Sequence, residues 1–167
     1  MLSIQSITAA DRPWIQQFIV DQWGADIVAG HGVIYHPAEL EGFIAVQDGE
    51  KVGVITYLIE NEQCEIITID SLRSGSGIGT ALIAAVKAKA IQAGCKRLWL
   101  ITTNDNLNAL RFYQKRGFVL VAVHRNAVAV SRQIKPSIPL IGADGIPLRN
   151  EIELVLQPQF GKKTKGG

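Results

Sequence analysis

The sequence predicts a mixed α/β (α+β) fold with a mostly antiparallel central sheet flanked by helices. Three observations carry this reading. The β-rich runs 43–47, 51–59 and 64–70 follow one another across short turns, which is the pattern of an antiparallel meander. From residue 78 onward, helical and strand-like runs alternate, as they do where helices cover a sheet. Hydrophobic residues make up 47% of the 167-residue chain and charged residues only 19%, which suits one packed core. One domain over residues 1–160 is expected, followed by a basic, Gly-rich, frayed tail at 161–167.

The elements follow in order. Residues 2–7 read as a short strand. Thr8, with Asp11 three residues on, is a helix N-cap signal. The helix runs to about Trp23, where Trp14, Ile15, Phe18, Ile19 and Gln22 recur at helical spacing and Gly24 stops it. Residues 24–42, with Gly30, Gly32, Pro37 and Gly42, read as irregular. Asp48-Gly49 is a tight-turn signal between the first two meander strands, and Asn61-Glu62 turns the chain into the third. An Ala-rich helix over 78–93, marked by Ile78, Leu82, Ala85, Val86 and Lys89, ends at Gly94. A strand at 97–102 leads to a helix at 107–116, capped by Asn104 or Asp105 and stopped by Gly117. A strand at 118–123, a short helix at 128–134 halted by Pro136, a turn-rich loop at 139–147 and an alternating strand at 151–156 complete the chain.

Composition excludes several classes. A net charge of +2 is too small to argue for nucleic acid. No apolar run reaches the roughly 20 residues of a membrane span. Met1–Ser6 lacks a basic stretch leading into a long apolar one, so no signal peptide is expected. Cys64 and Cys95 have no metal-ligand spacing and read as reduced, buried thiols of a cytoplasmic protein. His31, His36 and His124 lack zinc spacing, so no metal is expected.

Chemistry concentrates at Leu72-Arg73-Ser74-Gly75-Ser76-Gly77-Ile78-Gly79-Thr80, between a strand and a helix. Glycines at alternate positions let backbone N–H groups close on an anion at a helix N-terminus, where the dipole favours negative charge. Phosphate or pyrophosphate is the expected ligand. A nucleotide P-loop requires Lys-Ser or Lys-Thr after the last glycine, whereas Thr80-Ala81 follows here. The spacing of Gly75, Gly77 and Gly79 is also wrong for a dinucleotide fingerprint, and the next strand ends in Thr102-Thr103 without an acidic residue.

Gly77-Ile78-Gly79-Thr80-Ala81-Leu82 resembles the acyl-CoA pyrophosphate loop of the GNAT superfamily of N-acetyltransferases. The family's Gln or Arg falls on Ser74 here, with Arg73 one place early as a partial substitute. A second stretch strengthens the resemblance. Asn106, Ala109, Tyr113, Gly117 and Phe118 match every anchor of Asn-x-x-Ala-x-x-x-Tyr-x-x-x-Gly-Phe, one helix and one strand after the loop.

The resemblance implies a sheet with a V-shaped splay between its fourth and fifth strands, 64–70 and 97–102. It implies acetyl transfer from acetyl-CoA to a primary amine, attacking directly within a ternary complex. Arg73, Ser74, Gly75, Ser76, Gly77, Ile78, Gly79 and Thr80 would hold the pyrophosphate. Backbone groups at Ile67 and Ile69 would pair with the pantetheine arm, and Asn106 would bond one of its amides. Tyr113 would protonate the leaving thiolate. Glu65, on the strand facing the acyl end, is the candidate general base; Asp70 lies too near the pyrophosphate. Trp23, His31, Tyr35 and His36 are the candidate acceptor-pocket residues, with Gly30-His31-Gly32 as a lid. The acceptor would be a small-molecule or peptide amine and the assembly a monomer or homodimer. A longer acyl-CoA donor, or a non-catalytic acyl-CoA-binding or regulatory domain of the same fold, are the alternatives.

Overall fold

The computed structural model describes residues 1–157; the expected tail at 161–167 lies outside the described residues. Nine strands and four α-helices alternate along it. They are β1 (Leu2–Ser6), α1 (Arg12–Trp23), β2 (Val28–Gly30), β3 (Val33–Tyr35), β4 (Glu41–Gln47), β5 (Glu50–Glu60), β6 (Gln63–Ser71), α2 (Ile78–Gln92), β7 (Arg97–Thr103), α3 (Leu107–Lys115), β8 (Val119–His124), α4 (Ala127–Ile134) and β9 (Glu151–Leu156). Seven strands form one sheet in the order β1-β4-β5-β6-β7-β9-β8. Every neighbouring pair is antiparallel except β6 and β7.

The first half of the sheet is made by tight turns. Asp48 and Gly49 take φ of 53° and 81°, and Asn61 and Glu62 take 51° and 60°. Positive φ at both central residues is the two-residue hairpin geometry that matches strand twist. α1 begins one turn later than the sequence predicts. The Asp11 carboxylate accepts from the Thr8 backbone N–H at 2.8 Å, but that box encloses a 3-10 turn at Ala9–Asp11. The α-helix then starts at Arg12 with Pro13 in its first turn.

Each face of the meander buries its own set of side chains. Ile44 and Val54 meet Ile15, Phe18 and Ile19 of α1. Val52, Ile55, Cys64 and Ile66 meet Ile78, Leu82, Ile83 and Val86 of α2, and this larger core continues through Leu98, Leu100 and Leu154 to Tyr113 and Phe118. Both cysteines are free and fully buried, and burial pushes the Cys64 thiol up to about 12.

The second half departs from sequence order, because β9 inserts between β7 and β8. Residues 24–42 are also more regular than expected. β2 and β3 pair as a small hairpin, Val28 opposite Tyr35 and Gly30 opposite Val33. The Gly30-His31-Gly32 segment is therefore the turn of that hairpin.

The feature that positions the site is the junction of the two halves. β6 pairs with β7 only from Gln63–Arg97 to Glu65–Trp99. Beyond that point β6 runs on to Ser71 and β7 to Thr103 without pairing, which opens the expected splay.

Candidate active site

The glycine loop joins β6 to α2 at the wide end of the splay. Gly75 and Gly77 have φ of 77° and 79°, with nothing within 4 Å of where a Cβ would stand. Their requirement is therefore conformational rather than spatial. Gly77 is the N-cap of α2, and the first helical bond runs from Ala81 N–H to Gly77 C=O at 3.0 Å. The preceding helical N–H groups are left without intrahelical partners, and the first turn carries no acidic residue. Gly79 has a different reason: a Cβ there would stand 2.8 Å from the Phe112 ring, so its absence lets α2 and α3 meet.

A cavity of about 590 Å³ lies over this loop, lined by Ile69, Asp70, Arg73, Ser74, Gly75, Gly77, Ile78, Gly79, Thr80, Tyr113 and Arg116 among others. Ser76 does not line it; its hydroxyl donates to the Arg73 carbonyl at 2.7 Å. Arg73 does not turn its guanidinium onto the loop either. It is held across the β4–β5 turn by Gln47 Oε1 at 2.7 Å and Glu50 Oε2 at 3.0 Å. The cation over the loop is Arg116, which sequence reasoning missed. Its Nε donates to Thr80 Oγ1 at 2.9 Å, and its guanidinium lies 3.6 Å from the Phe112 ring centroid. The signal available was its place three residues after Tyr113, one turn along the same helix face.

Tyr113 lines this cavity, 8% exposed, with Phe112 and Phe118 edge-on to its ring. Burial raises its phenol well above the ordinary range, and the nearby Asp70 carboxylate adds to this. The hydroxyl therefore stays protonated through neutral pH. Asp70 is itself pushed up to about 6 by burial, opposed by the Trp23 indole N–H, which donates to its Oδ2 at 2.9 Å.

Further along β6 the cleft narrows to a small cavity of about 140 Å³, lined by Trp23, His31, Tyr35, Glu65, Ile67, Asn106 and Glu151 among others. Asn106, not Asn104 or Asp105, caps α3: its side-chain oxygen accepts from Ala109 N–H at 3.1 Å. Asn104 instead holds the approach to β9, accepting from Arg149 and Asn150 N–H, while Asp105 Oδ2 accepts from Ala143 N–H. His36 belongs to neither cavity. Tyr35 is buried at the end of β3, whereas His36 lies just beyond the strand and is exposed.

Three predicted residues converge here although the sequence gives no spacing rule for them. His31 Nε2 lies 2.7 Å from Glu65 Oε1 and 2.8 Å from the Tyr35 hydroxyl, which donates to Glu65 Oε2 at 3.3 Å. A fourth, Glu151 of β9, was not anticipated. It is 2% exposed and accepts the His31 backbone N–H at 3.0 Å. The hydrogen bond to Glu65 raises the His31 imidazole above its usual value, partly offset by burial. Burial, with Glu65 beside it, raises Tyr35 strongly.

A mostly antiparallel sheet, opened at its one parallel seam beside a glycine loop on a helix N-terminus, defines an acetyltransferase type of fold. The sequence matches the Acetyltransferase (GNAT) family over residues 9–118. It is 48% identical over 139 residues to the uncharacterized protein YdhI of Bacillus subtilis (strain 168), covering 83% of this chain and 87% of that one. It is 32% identical over 114 residues to the streptothricin acetyltransferase of Streptomyces lavendulae, covering 65% of this chain and 59% of the relative. The fold is similar to a Bacillus subtilis acetyltransferase in complex with CoA, with a TM-score of 0.67 at 21% identity, covering 94% of this chain and 99% of that one. The chain belongs to the GNAT acetyltransferase family.

Proposed function

We propose that this chain is an N-acetyltransferase that moves an acetyl group from acetyl-CoA to a primary amine within a ternary complex. The observation that carries this reading is the order of groups along the splay. An anion cradle, a buried protonated phenol and an acidic pocket follow one another along β6.

The pyrophosphate lies on the N–H groups from Gly75 to Thr80, with Arg116 supplying the positive charge that Ser74 lacks. The unpaired stretch of β6 at Ile67 and Ile69 receives the pantetheine arm as a neighbouring strand would. Asn106 uses its amide NH₂, since its oxygen is committed to the cap. The amine nitrogen attacks the thioester carbonyl, the carbon–sulfur bond breaks, and Tyr113 gives its proton to the leaving thiolate. The amine loses its own proton into the hydrogen-bonded cluster of His31, Tyr35 and Glu65. Glu65 and Glu151 face one small cavity, which favours a cationic acceptor. A basic small molecule of the streptothricin kind, or a lysine-bearing peptide, fits that preference.

The test is free-thiol release from acetyl-CoA with streptothricin, spermidine and lysine-containing peptides as acceptors. Thiol release dependent on one of these amines is expected. Thermal shift separates the parts: CoA at about 100 times its Kd stabilises by about 2.7 kcal/mol. No shift with CoA or acetyl-CoA would remove the cofactor assignment, and a shift without amine-dependent thiol release would remove the reaction.

A further inference from the structure

The sequence makes Glu65 the candidate base, but Glu65 is not free to be the first proton acceptor. Its side chain is 10% exposed, and its two oxygens are taken by His31 Nε2 and the Tyr35 hydroxyl. The imidazole stands in front of it, with 31% of its side chain open. We propose that His31 is the catalytic base of the transfer, taking the amine's proton on Nδ1 while Glu65 and Tyr35 hold the ring through Nε2. This rests on the amine acetylation proposed above.

The tautomer follows from chemistry. A carboxylate only accepts, so a 2.7 Å contact between Glu65 Oε1 and Nε2 puts the imidazole proton on Nε2. The neutral ring then carries its lone pair on Nδ1, which bonds no other residue among the described ones, and the residue's own backbone favours the protonated ring. As the amine nitrogen bonds to the carbonyl carbon, its proton passes to Nδ1. The resulting imidazolium is stabilised by Glu65 at Nε2 and by Glu151 beneath the backbone. A carboxylate oriented behind an imidazole in this way is a positioning group, as in hydrolase triads.

Backbone geometry supports the assignment. His31 has φ of 36° and Gly32 has φ of 79°, so the β2–β3 turn is a two-residue turn with both residues left-handed. Asn-Gly is the favoured pair for such a turn. A histidine in the first place is held there by Glu151 accepting its N–H at 3.0 and 3.2 Å. The ring also lies 5.5 Å from the Trp99 ring, centroid to centroid. The ionisable groups facing His31 are Glu65 of β6, Tyr35 of β3 and Glu151 of β9. Glu153 of β9 and His124 of β8 line the adjoining cavity and pair with each other at 3.0 Å.

His31→Asn is the decisive variant, because asparagine suits the turn and cannot take the proton. Acetyl-CoA affinity should be unchanged, while kcat falls by about 10²-fold or more. Wild-type kcat/KM should rise with pH through the His31 titration, and that limb should vanish in the variant. Glu65→Gln should move the limb to lower pH, since the carboxylate is what raises the imidazole. Side-chain NMR of the three histidines gives a readout that needs no acceptor: His31 should titrate above its usual value, with Nε2 protonated in the neutral form. A neutral ring protonated on Nδ1, or His31→Asn retaining wild-type kcat and its pH limb, overturns the assignment. If the wild-type protein acetylates none of the amines while the NMR result holds, the acetylation reading fails and the base falls with it.

Discussion

At the glycine-loop end of the cleft the wall is mostly main chain, supplied by one contiguous stretch from Asp70 to Thr80 with Tyr113 and Arg116 opposite. At the other end the wall is side chain, brought together from Trp23, His31, Tyr35, Glu65 and Glu151. His31 and Glu65 are 34 residues apart in sequence, and His31 and Glu151 are 120 apart. Main-chain donors suit a ligand shared across a family, because they depend on φ and ψ rather than on residue identity. Side chains assembled from distant segments suit a ligand particular to one member, because each is replaceable singly.

Substitutions can break that division or sharpen it. The largest effect is expected at the buried phenol of the loop end. Tyr113→Phe should lower kcat by about 10²-fold or more and leave the Kd for acetyl-CoA unchanged by calorimetry. A weakened Kd would put Tyr113 in the binding half instead.

Asp70→Asn comes next and is read in stability. Its folded pKa of about 6 lies above the unfolded 3.8, so burial of the charged form costs stability as pH rises through that interval. The variant should gain about 2–3 kcal/mol at pH 8 and almost nothing near pH 3, in denaturant titrations at both values.

The smallest effect belongs to Gly77→Val. Holding a non-glycine residue at left-handed φ costs about 1–2 kcal/mol, so acetyl-CoA should bind about tenfold more weakly. The KM for the amine should not move.

The same division decided how much could be read in advance. The loop, the α3 motif and the meander are local: Gly75 and Gly77 act within one loop, and Asn106 and Tyr113 within one capped helix. The β2–β3 hairpin reads as irregular in the sequence because three-residue strands are too short to express an alternating period. The insertion of β9 between β7 and β8 depends on long-range pairing, which leaves no local trace. Glu151 reads as an ordinary polar position of an alternating strand, and only that pairing brings it beneath His31. Arg73 was assigned from its nearness to the loop in sequence, but Gln47 and Glu50 across the hairpin turn claim its guanidinium.

The short parallel contact between β6 and β7 makes the seven-stranded sheet, in mechanical terms, two panels on one hinge. Three rungs, Gln63–Arg97 to Glu65–Trp99, carry the main-chain continuity. The rest of the stiffness across the seam comes from α2, whose side chains pack against strands of both panels. A strand-like ligand laid into the gap would add rungs where the sheet has none. Occupancy would then brace the scaffold as well as supply the reaction, setting the angle at which the acidic pocket meets the thioester.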